Sequence, residues 1–275
     1  MSAASGDGRG RPRAARPSRP QRIEGLETAP ADLEAATVDR LLLAPRSGPE
    51  TSRGDLLGQL SHELRTPIAT IYGGTKVLAR FGASLPEQTR DELVGAIEAE
   101  AERLYRLVED LLAIAATSEG VSLAREPVLV HRVLPRIVEG ERRRRPDIEV
   151  RVSLPSDLPA VIADPDAVRH IVRNLVENAV DASPQNGTVA VEAEADERSV
   201  VLRVLDAGPA LDPTEPEQVW GPFVGPARGQ RLGRRAGLAL TAVARLVESL
   251  GGSAWAAPAV GGGTEFGIRL PASRG

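Results

Sequence analysis

The sequence predicts an α+β protein: an antiparallel helical hairpin that pairs with a second copy into a four-helix bundle, followed by an α/β sandwich. Two observations carry this. Residues 54–81 and 86–117 each repeat apolar positions at heptad spacing, and a short connection around Gly82–Pro86 joins them. From Gly120 on, alternating stretches interleave with helical ones without βαβ repetition. The expected organisation is a basic, mostly disordered N-terminal region over 1–50, the hairpin over 51–118 and the sandwich over 119–275.

Composition narrows the field. The 275 residues, 41% hydrophobic and 26% charged, suffice for one or two cores plus a tail. There is no cysteine, which excludes disulfides and thiolate metal sites, and three scattered histidines make a His-rich zinc site a poor prospect. No run of 18 apolar residues occurs and the N-terminus lacks an apolar h-region, so no membrane span is expected and the expected location is cytoplasmic. The net charge of −4 is uneven: residues 1–22 carry six Arg and one Asp, net +5, which leaves −9 for the remainder. The tail has no aromatic residue for base stacking and no apolar face, so no nucleic-acid partner is expected.

The elements follow in order. Residues 1–30, rich in Gly, Pro, Ser and Arg, are expected to hold no fixed structure, and 31–43 forms one short helix ended by Pro45, Gly48 and Pro49. In 54–81, Leu57, Leu64, Ile71 and Leu78 recur at sevens with Leu60, Ile68 and Thr75 between them, a single apolar seam. Pro86 opens the next helix, where Ile97, Ala101, Leu104, Val108, Leu111 and Ala115 step by four and three. Residues 121–130 read as a short strand passing into a helix from Pro127 to about Arg144, closed by the basic run Arg142–Arg145. Ile148–Leu154 alternates as a half-buried strand and 160–163 adds a short one. Asp164 caps a helix to about Ala182 with Pro165 at its first position. Strands near 188–194 and 199–205, a Gly/Pro loop over 207–236, a helix from Gly237 to Leu250, and strands near 253–257 and 264–270 complete the fold.

His62 lies two residues before Leu64, so it points away from the seam toward solvent, with Glu63 beside it and Thr66 one turn on. Pro67 has no N–H for the carbonyl of Glu63 and should bend the helix there. An exposed His beside an acid on a bundle helix reads as a presented nucleophile. In the second half, Asn174 and Asn178 share one helix face, and an Asn carbonyl is a hard neutral ligand suited to Mg²⁺. Asp206 ends a strand, where an acceptor-only carboxylate can select an N–H donor.

Ser61–Pro67 (SHELRTP) resembles the H-box of sensor histidine kinases, and the later motifs occur in that family's order. Residues 170–183 resemble the N-box of the Bergerat-type ATPase fold, VLDAGPA its first glycine box, WGPF its F-box, RAGLAL its second glycine box and GGGTEF its last. The resemblance implies ATP-dependent phosphorylation of His62, with Glu63 orienting the ring and Arg65 holding the phosphoryl group. It further implies transfer to the receiver domain of a response regulator, whose aspartyl phosphate Thr66 would help hydrolyse, and it implies a homodimer. It assigns ATP and Mg²⁺ to Asn174, Asn178, Asp206, Gly208, Phe223, Gly237, Leu238 and Thr264, with Asn178 as metal ligand and Glu177 as the acid near the metal. Asp181 stands where many members have a basic residue. Ala210, Arg235 and Ala239 replace glycines, so a strained cradle, weakened ATP binding and reduced activity are expected; a degenerate kinase or dimeric scaffold is the alternative.

Overall fold

The computed structural model describes residues 52–118, 123–211, 218–222 and 237–273, with side chains in the first helix from Gly58 on. The helix expected at 31–43, the stretch 1–30 expected to hold no fixed structure, Phe223 and Arg235 lie outside the described residues.

Helix α1 (Ser52–Phe81) and helix α2 (Glu87–Ser118) form the hairpin. Gly82 N donates to Leu78 O at 2.9 Å, and the chain reverses over the next few residues. Helix α1 runs on through Pro67, which is buried in it. The two helices touch closely at Gly74: a Cβ there would stand 2.7 Å from Ile97 Cγ1. The inward face of α1 holds Leu60, Leu64, Pro67, Ile71, Gly74 and Leu78, all buried or half-buried. Ile68 and Thr75, expected on that seam, are exposed, as are Ala101 and Val108 of α2. Each helix therefore carries two apolar stripes rather than one. The second stripe stays open to solvent, with Tyr72 and Tyr105 63% and Leu112 62% exposed.

The second unit begins with β1 (Glu126–Val128), which pairs antiparallel with β3 (Val161–Ala163). Helix α3 (Val130–Arg144) lies between them in sequence. Pro127 is thus in a strand rather than opening the helix: its ring removes an N–H that an edge ladder can spare, and the helix begins three residues on. The main sheet contains β2 (Glu149–Ser153), β4 (Thr188–Ala195), β5 (Ser199–Leu205), β6 (Ser253–Pro258) and β7 (Thr264–Pro271) in the order β2-β4-β5-β7-β6. Only the β2–β4 pair is parallel. Helices α3, α4 (Pro165–Ala182) and α5 (Ala239–Ser249) cover one face. The core between them contains Leu134, Ile171, Leu175, Val204, Leu246 and Phe266, and Trp220 sets its ring edge-on to Phe266 at 5.9 Å. Arg203 and Glu265 on the opposite face pair at 3.4 Å. No described helix is long and apolar enough to cross a membrane.

Candidate functional site

Helix α4 owes its start to Asp164, whose Oδ1 accepts from Asp166 N at 2.9 Å and Ala167 N at 3.1 Å, with Pro165 at the first position. The cap sets the helix register, and with it which residues reach the core. Ile171, Leu175 and Val176 are fully buried there, and Asn174, Glu177 and Asn178 are buried as well. Asn178 Nδ2 is buried without a hydrogen-bond partner among the described residues. An unpaired amide in a buried position costs about 1–3 kcal/mol, which a ligand oxygen would relieve. The donor set therefore fits a phosphate–metal group: neutral amide oxygens for the cation and an unpaired N–H for an oxyanion.

Asp206 follows β5 and is buried. Its Oδ1 accepts from Gly208 N at 2.7 Å and Thr264 N at 3.1 Å, while Oδ2 has no partner among the described residues. Burial raises the carboxyl from its ordinary 3.8 to about 6, against the lowering effect of those two N–H donors. The free oxygen can accept from a ligand N–H once the group is ionised. Thr264 acts around Asp206, since its hydroxyl donates to Pro209 O at 3.2 Å. Gly263 is required here: its φ is +87°, and a Cβ would stand 1.9 Å from Asp206 O. Gly208 is equally confined, since a Cβ there would stand 2.7 Å from Ala182 O.

The altered glycine positions behave differently from expectation. Asn186 is the one described non-glycine residue with positive φ, so Ala210 and Ala239 occupy ordinary backbone and store no such strain. Leu238 precedes α5 without a side-chain cap, so the first N–H groups of that helix remain available to an anion. Gly237 lies at the same turn. The Leu238 side chain, however, is buried against Leu60, Ile114 and Ala242, between α5 and the hairpin. Asp181 carries no phosphate-directed charge and pairs with Arg144 at 2.6 Å.

On the hairpin, His62, Arg65 and Thr66 are exposed, and Thr66 Oγ1 donates to His62 O at 3.1 Å. Glu63 points elsewhere: its Oε2 accepts from Arg103 Nη2 of α2 at 2.5 Å. Arg103 also lies 3.6 Å from Glu100. Sequence reasoning missed Arg103, Arg106, Glu109 and Asp110. It also gave His170 no functional role, whereas its Nε2 stands 2.9 Å from Asp110 Oδ1 across the two units. A charged pair, Glu109–Asp110, set inside the apolar run 107–112 was the available signal.

Comparison with known proteins places both units. The family model described as "His Kinase A (phospho-acceptor) domain" matches residues 52–120, and "Histidine kinase-, DNA gyrase B-, and HSP90-like ATPase" matches 163–274. The chain is 31% identical over 83% of its length to the probable sensor histidine kinase TcrY of Mycobacterium tuberculosis, covering 48% of that protein. It is 27% identical over 93% of its length to the sensor protein KdpD of Clostridium acetobutylicum, covering 29% of it. Among solved structures, full-length ShkA in complex with AMPPNP aligns over 81% of this chain and 46% of that one, at 28% identity and TM-score 0.59. The chain thus spans half or less of the length of these relatives.

Proposed function

The chain belongs to the sensor histidine kinases of two-component systems, and on that premise we propose that it phosphorylates itself on His62 from ATP and passes the phosphoryl group to an aspartate of a response regulator. The observation that carries the reading is the pairing of an exposed His62 on the hairpin with a buried Asn174–Asn178 face and a half-satisfied Asp206 in the second unit.

Asp206 Oδ2 would accept from the adenine amino group. Asn178, supported by Asn174 and Glu177, would hold Mg²⁺, and the N–H groups at the start of α5 would face the phosphates. When bound, the magnesium nucleotide supplies the phosphoryl group and neutralises its developing charge. His62 receives the group on an unprotonated ring nitrogen: an N–P bond forms as the bond to the ADP oxygen breaks, and the electron pair leaves with ADP. Glu63 would accept the other ring N–H once Arg103 gives it up. Arg65 would hold the phosphoryl group, and Thr66 would orient water against a docked aspartyl phosphate. The open apolar stripes of α1 and α2 support a homodimer through the hairpin.

The test is incubation with γ-labelled ATP and Mg²⁺, wild type beside His62→Ala. Acid-labile label in the wild type and none in the variant is expected; label that survives in His62→Ala overturns the assignment.

A further inference from the structure

Helix α3 turns a basic face outward. Arg132, Arg136, Arg142 and Arg143 are exposed along it, and Glu139 is the one exposed acid among them. Glu139 serves Arg143, at 3.7 Å. Arg132 and Arg136 have no acidic partner among the described residues. Arg142 Nη2 donates to Val150 O at 2.8 Å. That carbonyl belongs to β2, the end strand of the main sheet. Glu149 N donates to Gly187 O at 3.0 Å on the β4 side, so by alternation the peptide groups of Val150 and Val152 face away from the sheet. Between α3 and this edge runs an open groove of about 710 Å³, floored by Leu134, Val138, Val152 and Leu154 and walled by Arg136 and Arg143. Val152 is 44% exposed in it. A sheet edge with open peptide groups and an exposed aliphatic side chain is one that proteins cover or charge.

The counterpart is written in the same chain. Residues 23–39 carry Glu24, Glu27, Asp32, Glu34 and Asp39 and no Arg, Lys or His, net −5, with Ile23, Leu26, Leu33 and Val38 between them. We infer that this acidic segment docks in the groove of its own chain. Its carboxylates meet the arginines of α3, and its aliphatic side chains cover Val152 and Leu154.

Charge and reach both favour this occupant. The segment is uniformly acidic where the groove is basic, and complementary charge fixes which partner is accepted. Helix α1 begins at Ser52, its Leu60 packs with Ala242 of α5, and α5, α4 and α3 lie side by side. At about 8–10 Å between neighbouring helix axes, α3 stands about 20 Å from α5. The linker 40–51 spans about 40 Å when extended. Tethering keeps the segment at an effective concentration on the order of millimolar, so modest contacts hold it. A second copy of the groove would set one row of arginines against another. A phosphate-bearing chain would pair with the arginines but leave the aliphatic floor unused.

Energy transfer on the full chain tests this. The chain has no cysteine, and Gly140 is exposed on α3 with open space for a Cβ. Gly140→Cys with Ala35→Cys accepts a donor and an acceptor dye, and dilution with unlabelled chain leaves only transfer within one protomer. Efficient transfer at low salt is expected, falling as salt screens the charge pairs. Arg136→Glu with Arg142→Glu should cut it roughly twofold or more. Adding Glu27→Arg with Glu34→Arg to that variant should restore it, which also shows that the reversed groove still folds. Transfer unchanged by the first reversal, or a loss that the second does not repair, overturns the inference. So does transfer that is already low in the unreversed chain. If that chain instead binds a short oligonucleotide or a phosphatidylserine vesicle through the same arginines, the groove belongs to a phosphate-bearing partner and the inference falls.

Discussion

The hairpin and the sheet unit bury their apolar residues to very different degrees. In the sheet unit Leu175, Val204 and Phe266 are 0% exposed, and helices α3, α4 and α5 cover one face of the sheet. In the hairpin Tyr72, Tyr105 and Leu112 remain more than 60% exposed, although their spacing is as regular as that of the buried seam. The sheet unit has a core complete within one chain. The hairpin is half of a core, and its remaining half must come from another surface. The stability of the first is then intramolecular, while that of the second depends on protein concentration.

The largest expected effect tests the self-sufficient side. Leu175→Ala should cost about 2–5 kcal/mol by leaving a cavity between α4 and the sheet. Denaturant unfolding of the sheet unit should show this loss at every protein concentration; a loss that shrinks on concentrating the protein would break the comparison.

Next comes the open face. Val108→Glu with Leu112→Glu places charge where apolar contact is expected on both copies. At about 1 kcal/mol per partly exposed side chain, the dimer dissociation constant should rise a hundredfold or more. Sedimentation equilibrium reads this directly, and the melting of the sheet unit should stay in place.

A third effect belongs to the sheet unit alone. Asp206 must be ionised to accept a ligand N–H, and its carboxyl is raised to about 6. Nucleotide affinity should therefore fall about tenfold per pH unit below that value. Stability runs the other way. A folded-state pKa above the ordinary 3.8 means that this group favours the fold at low pH, and the contribution is lost as pH rises through about 6. Asp206→Asn should flatten both dependences in titrations between about pH 4 and pH 7.

The smallest effect is local. Asp164→Ala removes the acceptor for Asp166 N and Ala167 N and should cost about 1 kcal/mol in unfolding free energy. Asp164→Asn should recover most of it.

Much of this molecule was legible in the chain itself. Heptad spacing placed both hairpin helices, the strand pattern placed every described strand but β1 within a residue or two, and Asp164–Pro165 fixed where α4 begins. Those features are local: each depends on side-chain period or on a bond to a backbone group two or three residues away. The Asn174–Asn178 face and the strand-end Asp206 were legible for the same reason. Tertiary structure alone decided which apolar stripe closes the hairpin, because period marks a residue as apolar without naming its partner. It alone showed that Ala210 and Ala239 sit in ordinary backbone, since φ at a loop position is set by what the loop packs against. It alone joined Glu63 to Arg103 and Asp110 to His170 and Asn174, pairs separated by 40 to 64 residues. A charge carries no periodic label for its counterpart, so such pairs exist only once two helices have been brought within reach.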